Sequence, residues 1–405
     1  MLRGVKIRAA VLREAGLPTP YASSRPLAIE EVDLDAPRDG EVQVRIHAAG
    51  LCHSDLSVID GNRPRPRPMV LGHEAAGVVE ALGPGVRDLA VGDHVVMVFV
   101  PSCGACLPCM SGRPALCDPA AAANGAGTLL SGERGLSSAG APIHHHIGVS
   151  CFAERAVVSR RSLVKVDAAL PFEHAALFGC AVLTGVGAVI NTAAMAAGSS
   201  VAVVGLGGVG LAAILGARVA GARQIVAIDR VASKLDVARA LGATDVFLAD
   251  DDVVANVREA TAGGVDVGFE MAGSVRALDV AYRVTRRGGT TVTAGLSPPD
   301  HTFALPHVNL VAEERTLKGS YIGSAVPARD VPRYVALFQR GLLPVDRLVG
   351  GTISLGGINE AFDDLASGRS LRQILLPHAP DSPEPAAPQA RNARHTRGAR
   401  GADEH

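Results

Sequence analysis

Charge of one sign is what this 405-residue sequence lacks most plainly: 39 Lys and Arg stand against 40 Asp and Glu, a formal charge of -1. So balanced a chain has no electrostatic reason to bind nucleic acid or an anionic membrane. Cysteine is scarce. Seven in this length are too few for a disulfide scaffold, so their spacing matters more than their number. Lysine is scarcer still, with four. The most apolar run, Val201 to Ala217, has 17 residues with five glycines, short for a membrane span and better suited to a strand, turn and helix. The opening residues, with Arg3, Lys6, Arg8 and Arg13, never build the apolar stretch of a signal peptide. No internal repeat occurs. The expectation is a cytoplasmic globular protein of two or three domains, with 48% apolar and 20% charged residues. In the cytoplasm, unpaired cysteines point to metal or to chemistry.

The texture of the chain changes near its middle. Up to about Thr184 the segments are short, β-branched and bounded by Gly, Pro and Asp, as in EVQVRIHAAG (41–50) and GVVEALG (77–83). From Val201 onward, buried-strand runs alternate with amphipathic helices. VAVVG (201–205), QIVAID (224–229), TDVFLA (244–249) and VDVGFEMAG (265–273) predict strands of a parallel α/β sheet. ASKLDVARALGA (232–243) has helical spacing and a glycine stop, DVPRYVALFQRG (330–341) reads as a helix, and RQILLP (372–377) as a last strand. RPRPRP (63–68) predicts an extended loop, and the segment from Asn124 to Ala141 also reads as loop. Residues 378–405, rich in Pro, Ala and Arg, predict a disordered tail.

Four of the cysteines lie close together. Cys103, Cys106, Cys109 and Cys117 form C-x2-C-x2-C-x7-C on a Gly/Pro-rich loop. Four thiolates at this spacing can close a tetrahedral shell around zinc with no position open, a structural site. An iron–sulfur cluster is the other metal reading, but the C-x2-C-x2-C-x3-C-P run is missing. Elsewhere, Cys52 begins CHSDLS, His73 and Glu74 sit in GHEAAGVVEALGPGV, and Cys180 lies in LFGCAVLTG. Taken singly, each reads as a small buried cysteine or a histidine satisfied by the backbone. Cys151 belongs with neither group and reads as a buried small hydrophobe.

A second motif follows the texture change. Gly205-Leu206-Gly207-Gly208-Val209-Gly210 matches G-x-G-x-x-G between an apolar strand and a helix-like segment. Gly205 permits the tight turn, Gly207 lets backbone approach a pyrophosphate, and Gly210 lets helix and strand pack closely. Asp229, at the end of the next strand, can accept from ribose hydroxyls and repels a 2′-phosphate, favouring NAD over NADP. Arg230 beside it keeps NADP in play, and Lys234 reads either as a ribose contact or as a solvated helix lysine.

Together these features resemble the zinc-dependent alcohol dehydrogenases of the medium-chain dehydrogenase/reductase superfamily. The resemblance spans about residues 7 to 377. It rests on GHE-x2-G-x5-G (Gly72, His73, Glu74, Gly77, Gly83), the cysteine quartet, GLGGVG and SGRSLRQIL. It implies an α/β protein with a β-rich second domain: a GroES-like catalytic domain (1–183 and 322–377) holding an inserted, doubly wound Rossmann domain (184–321). It also implies two zinc ions per subunit, NAD, and a homodimer or homotetramer. Cys52, His73 and Cys180 then resemble the ligands of the catalytic zinc, with Glu74 behind the metal and able to approach it during ligand exchange, and Asp55 orienting the ligand histidine. His53 and Arg372 resemble pyrophosphate contacts, Thr184 a residue beside the nicotinamide, and Ser54 the hydroxyl that takes the alcohol proton. Phe99, His146 and Leu296 fall where such enzymes line the substrate pocket. The implied reaction is reversible hydride transfer between a primary or secondary alcohol and NAD, giving an aldehyde or ketone.

Two departures narrow the expectation. Many relatives end the proton relay in a histidine where this chain has Ser57. The glutathione-dependent formaldehyde dehydrogenases place an arginine where this chain has Asp118-Pro119-Ala120-Ala121, which argues against their substrate. Polyol dehydrogenases usually carry glutamate where Cys180 stands, so simple alcohols are favoured. The competing readings are an NADPH-preferring aldehyde reductase and, from a different class, a zinc-stabilised binding module built on the quartet alone.

Overall fold

The computed structural model describes residues 4–368 and 370–381. Three sheets organise the chain. The first is a small closed barrel of strands Val5–Leu12, Leu27–Leu34, Leu136–Ser138, Ala141–His145 and Met69–Val70. The second runs Leu163–Lys165, His94–Val98, Glu74–Leu82, Glu41–Gly50, Arg372–Leu375, Val349–Ile353, with Arg155–Ser159 also paired to Glu41–Gly50. Its last two members come from the far end of the chain, and Ile374 and Leu375 pair with Gly50 and Ala49. Both chain ends therefore build one β-rich unit, as the family pattern implies.

The third sheet is wholly parallel: Asp245–Leu248, Gln224–Asp229, Ser200–Val204, Val265–Glu270, Thr285–Thr293, Thr316–Gly319. Renumbered within the sheet the order is 3-2-1-4-5-6, the doubly wound arrangement that binds ligands where the strand order reverses. Ser200–Val204 sits at that reversal with every residue buried. Each of its valines contributes about 1.5–3 kcal/mol on leaving water. The helix Ala232–Leu241 stops at Gly242, whose φ of 119° a side chain would resist.

Two expectations change. The segment from Asn124 to Ala141 is not a plain loop: the helix Asp118–Ala126 overlaps its start and the strand Leu136–Ser138 lies inside it. Pro119 in the first turn, a run of alanines and Gly127 at the left-handed C-cap account for the helix. His378 to Asp381, placed with the disordered tail, are ordered: Asp381 pairs with Arg8 at 2.6 Å and accepts from the Gly356 N–H at 2.9 Å. The remainder of that expected tail lies outside the described residues.

Candidate active site

Cys52 ends the central strand Glu41–Gly50 two residues on and caps the helix His53–Ile59. His73 immediately precedes Glu74–Leu82, and Cys180 precedes the helix Ala181–Gly187. Three elements far apart in sequence thus bring two thiols and an imidazole to within 4.8 Å of one another, all buried. Asp55 fixes the arrangement. One carboxylate oxygen accepts the Cys52 N–H at 3.1 Å, and the other lies 2.9 Å from His73 Nδ1. A histidine that donates from Nδ1 keeps its lone pair on Nε2, the state a metal ligand needs.

The electrostatics follow from burial and adjacency. The hydrogen bond from Cys180 draws Cys52 well below the ordinary thiol range, and the same contact, with burial, drives Cys180 well above it. Burial opposes protonation of His73, but the Asp55 carboxylate raises it well above the usual histidine value. Glu74 is fully buried, and desolvation lifts it to about 7 against the pull of Arg372. Its carboxylate accepts the Ala181 N–H at 3.2 Å and lies 3.1 Å from Arg372 Nη2. The group of mutually close donor atoms is Cys52, His73 and Cys180; Glu74 stands behind it.

Arg372 joins the two halves of the site. It also donates to the Leu51 carbonyl, and a Cβ on Gly208 would lie 3.0 Å from its Nε. That Nε is buried without a hydrogen-bond partner. Around it, each glycine of the turn has its own constraint. Gly205 has φ of 95°; a Cβ on Gly210 would sit 1.8 Å from the Gly205 carbonyl oxygen; a Cβ on Gly207 would meet nothing within 4 Å. The first two are needed by the fold, while Gly207 borders open space. Asp229 is anchored by the Leu206 N–H at 2.7 Å and the Val231 N–H at 2.9 Å. Arg230 is exposed, and Lys234 comes near Gly368, whose Cβ would lie 3.8 Å from the ammonium. Thr184 donates its N–H to the Cys180 carbonyl at 2.9 Å, one helical turn further on. His53 is exposed and Ser54 half-exposed on the same helix.

The quartet is a different kind of cluster. The sulfurs of Cys103, Cys106, Cys109 and Cys117 converge within 4.8 Å on a loop where three of the four residues are half-exposed. Backbone N–H groups of Ala105 and Cys106 donate to Cys103 Sγ, holding it down at about 6, while burial lifts Cys109 to about 12.

Of the expected pocket residues, Leu296 lines a cavity of about 400 Å³ together with Tyr321, Ser320 and Arg113. Phe99 stands edge-on to His73 at 5.3 Å and to Tyr321 at 6.0 Å. His146 is placed differently from the expectation. It is buried beside His73 with Nδ1 3.2 Å from the Asp55 carboxylate, so one acid faces two imidazoles. Cys151 is buried as expected; its thiol donates to the Glu74 carbonyl at 3.7 Å. It packs so close to Gly72 (φ 92°) that a Cβ there would lie 2.7 Å from its sulfur. Tyr321 and Arg113 were not anticipated. Tyr321 carries no motif, and its only sequence signal is being one of four tyrosines.

Residues 38–168 match the family model described as alcohol dehydrogenase GroES-like domain, and residues 208–340 match zinc-binding dehydrogenase. An NDMA-dependent alcohol dehydrogenase from Amycolatopsis methanolica is 40% identical, covering 93% of this chain and all of the relative. Alcohol dehydrogenase 1 of Pisum sativum is 37% identical over 92% of this chain and 97% of its own length. Among solved structures, benzyl alcohol dehydrogenase from Acinetobacter calcoaceticus superposes with a TM-score of 0.85 at 35% identity, covering 92% of this chain and 99% of that one. Among the described residues no helix is long and apolar enough to cross a membrane. With its fold, its donor sets and its relatives in agreement, this chain belongs to the zinc-dependent alcohol dehydrogenase family of the medium-chain dehydrogenases/reductases.

Proposed function

We propose that this protein is an NAD-dependent alcohol dehydrogenase with one catalytic and one structural zinc, moving hydride reversibly between a primary or secondary alcohol and the nicotinamide. The observation that carries the reading is the convergence of Cys52, His73 and Cys180, buried together, with the His73 ring held by Asp55. The residues fit the groups. Two thiols and an imidazole are zinc donors, and three protein ligands leave a position for substrate, whereas the four cysteines leave none. The open space over Gly207, the unpartnered Nε of Arg372 and the start of helix Gly208–Val219 suit a pyrophosphate. Asp229 suits a ribose without a 2′-phosphate.

When bound, zinc supplies a Lewis acid that lowers the pKa of an alcohol, and NAD supplies the hydride acceptor. The chain's own residues do the rest. Asp55 holds the His73 ring, and the Ala181 N–H and Arg372 hold Glu74 behind the sulfurs. Ser54, beside Cys52, takes the alcohol proton. Ser57 donates its hydroxyl to the His53 carbonyl at 2.9 Å, and the proton passes from Ser54 to water or to another base. His53 and Arg372 would hold the pyrophosphate, Asp229 and Lys234 the ribose, and Thr184 would lie beside the nicotinamide. The edge strand Thr316–Gly319, exposed at all four residues, and exposed Val308 and Val311 support a homodimer or homotetramer.

A second reading concerns the electron acceptor. The Amycolatopsis relative is NDMA-dependent by name, so this chain too would turn over with NDMA where free NAD does not suffice. An assay across an alcohol panel with NAD, NADP, NDMA and pairs of these decides. Turnover with NAD alone supports the first reading, turnover that requires NDMA supports the second, and preference for NADP overturns the use of Asp229. No alcohol oxidation under any acceptor overturns both readings.

A further inference from the structure

The histidines of the run 144–146 face three different partners. His144 Nδ1 lies 3.0 Å from the Pro68 carbonyl, His145 Nε2 accepts the Gly135 N–H at 3.3 Å, and His146 Nδ1 lies 3.2 Å from Asp55 Oδ1. The first two bind backbone groups. The third faces the acid that holds His73.

Asp55 is met from three sides. Its Oδ2 accepts the Cys52 N–H at 3.1 Å, while Oδ1 lies 2.9 Å from His73 Nδ1 and 3.2 Å from His146 Nδ1. Cys52 and His73 belong to the zinc-donor set, and His146 does not. The His146 contact is longer and less straight than that of His73, and among the described residues no other partner reaches this buried nitrogen. That dictates the tautomer. A bare Nδ1 lone pair facing a carboxylate oxygen away from water would be repelled, so Nδ1 carries the proton and turns an N–H toward Asp55.

The chain fixes this ring through its own backbone. The His146 N–H donates to Ser150 Oγ at 2.9 Å, and its carbonyl accepts the Val149 N–H at 3.0 Å. Ile147 (φ 40°) and Ser150 (φ 55°) hold a left-handed conformation that persists only where the surroundings over-determine it. Those surroundings are the segment leading to His73. The Cys151 N–H donates to the Gly72 carbonyl at 3.2 Å and the Phe152 N–H to the Leu71 carbonyl at 3.0 Å. The two imidazoles meet edge-on at 5.5 Å, and Phe99 meets His73 edge-on at 5.3 Å. An apolar ring would fill the same space without giving the acid a donor.

We propose that His146 is a positioning residue of the catalytic zinc site: its Nδ1–H holds Asp55, and Asp55 holds the His73 ring with Nε2 free for the metal. A carboxylate tied to Cys52 and His73 alone would be oriented by the very residues it has to orient. His146 supplies the independent anchor. This rests on the catalytic-zinc reading and adds to it a residue outside the donor set.

The test is zinc release to a competing chelator from wild type, His146→Asn, His146→Leu, Asp55→Asn and Asp55→Asn/His146→Leu, with Cys180→Ala giving the trace of the quartet zinc. Asn and Leu have the same shape, and the Asn amide can place an N–H where Nδ1 stands, so the pair separates hydrogen bond from packing. In His146→Leu the distributed zinc should be held about tenfold or more weakly, and in His146→Asn within about threefold of wild type, with quartet release unchanged in both. Added to Asp55→Asn, His146→Leu should cost less than about twofold more, because its effect passes through the acid. Equal zinc affinity in wild type and His146→Leu, equal losses in the Asn and Leu variants, or the full loss on top of Asp55→Asn overturns the proposal alone. A wild type holding one zinc, released as in Cys180→Ala, overturns the catalytic-zinc reading and this proposal with it. Histidine nitrogen NMR of the zinc-loaded wild type needs no variant to fold: a protonated Nδ1 on His146 is expected, and a bare Nδ1 there overturns the proposal.

Discussion

The two cysteine-bearing sites are built in opposite ways. The quartet comes from one loop, Cys103 to Cys117, with three of its residues half-exposed and its thiols steadied by neighbouring backbone N–H groups. The other site draws Cys52, His73 and Cys180 from three separate elements, buries all three and ties Cys52 and His73 to Asp55. A local site can form wherever its loop closes around a metal. A distributed one exists only when the barrel, the central strand and the return strand Arg372–Leu375 are all in place. On the proposed function the first stabilises and the second reacts.

That contrast sets the order of expected effects. The largest is on the distributed site: Cys180→Ala is expected to lower kcat/KM by about a thousandfold or more, because the Lewis acid is worth several kcal/mol. Its melting temperature should stay close to wild type; a large drop would show this site to be structural as well. Next is Asp55→Asn, expected to cost about 10–100-fold in zinc affinity or activity, read by competition with a chelator. The quartet should respond in the other direction. Cys109→Ala is expected to lose one zinc and to lower the melting temperature by several degrees, with the remaining zinc still at Cys52, His73 and Cys180. Parallel losses in both variants would erase the distinction.

The smallest effect lies in the barrel strand Ala141–His145, which ends just before His146. Its neighbour His145 is fully buried, accepts the Gly135 N–H at 3.3 Å and is pushed down to about 4 by burial. The unfolded chain therefore binds the extra proton first as pH falls. Stability should decline between about pH 6.5 and 4, by at most about 3 kcal/mol, and flatten below. His145→Gln keeps an acceptor for Gly135 and should shallow that slope in urea melts at stepped pH. An unchanged slope would assign the acid sensitivity to other groups.

Local features were the legible ones. QIVAID predicts a strand over 224–229 and the strand runs Gln224–Asp229; the glycine turn and the quartet announce themselves by spacing. What needed the fold was partnership across the chain. Nothing in HHH tells which imidazole will share Asp55 with His73, because that depends on pairing between the short strands Met69–Val70 and Ala141–His145. The helix Asp118–Ala126 hid behind a Gly/Pro-rich neighbourhood, although its alanines favour it.

The division of the seven cysteines into four, two and one is most directly tested by zinc content per chain, measured on wild type, Cys180→Ala, Cys109→Ala and Cys151→Ala. The account predicts two zincs in wild type, one in each of the first two variants and two in Cys151→Ala. A single zinc in wild type, or two retained in Cys180→Ala, would contradict it.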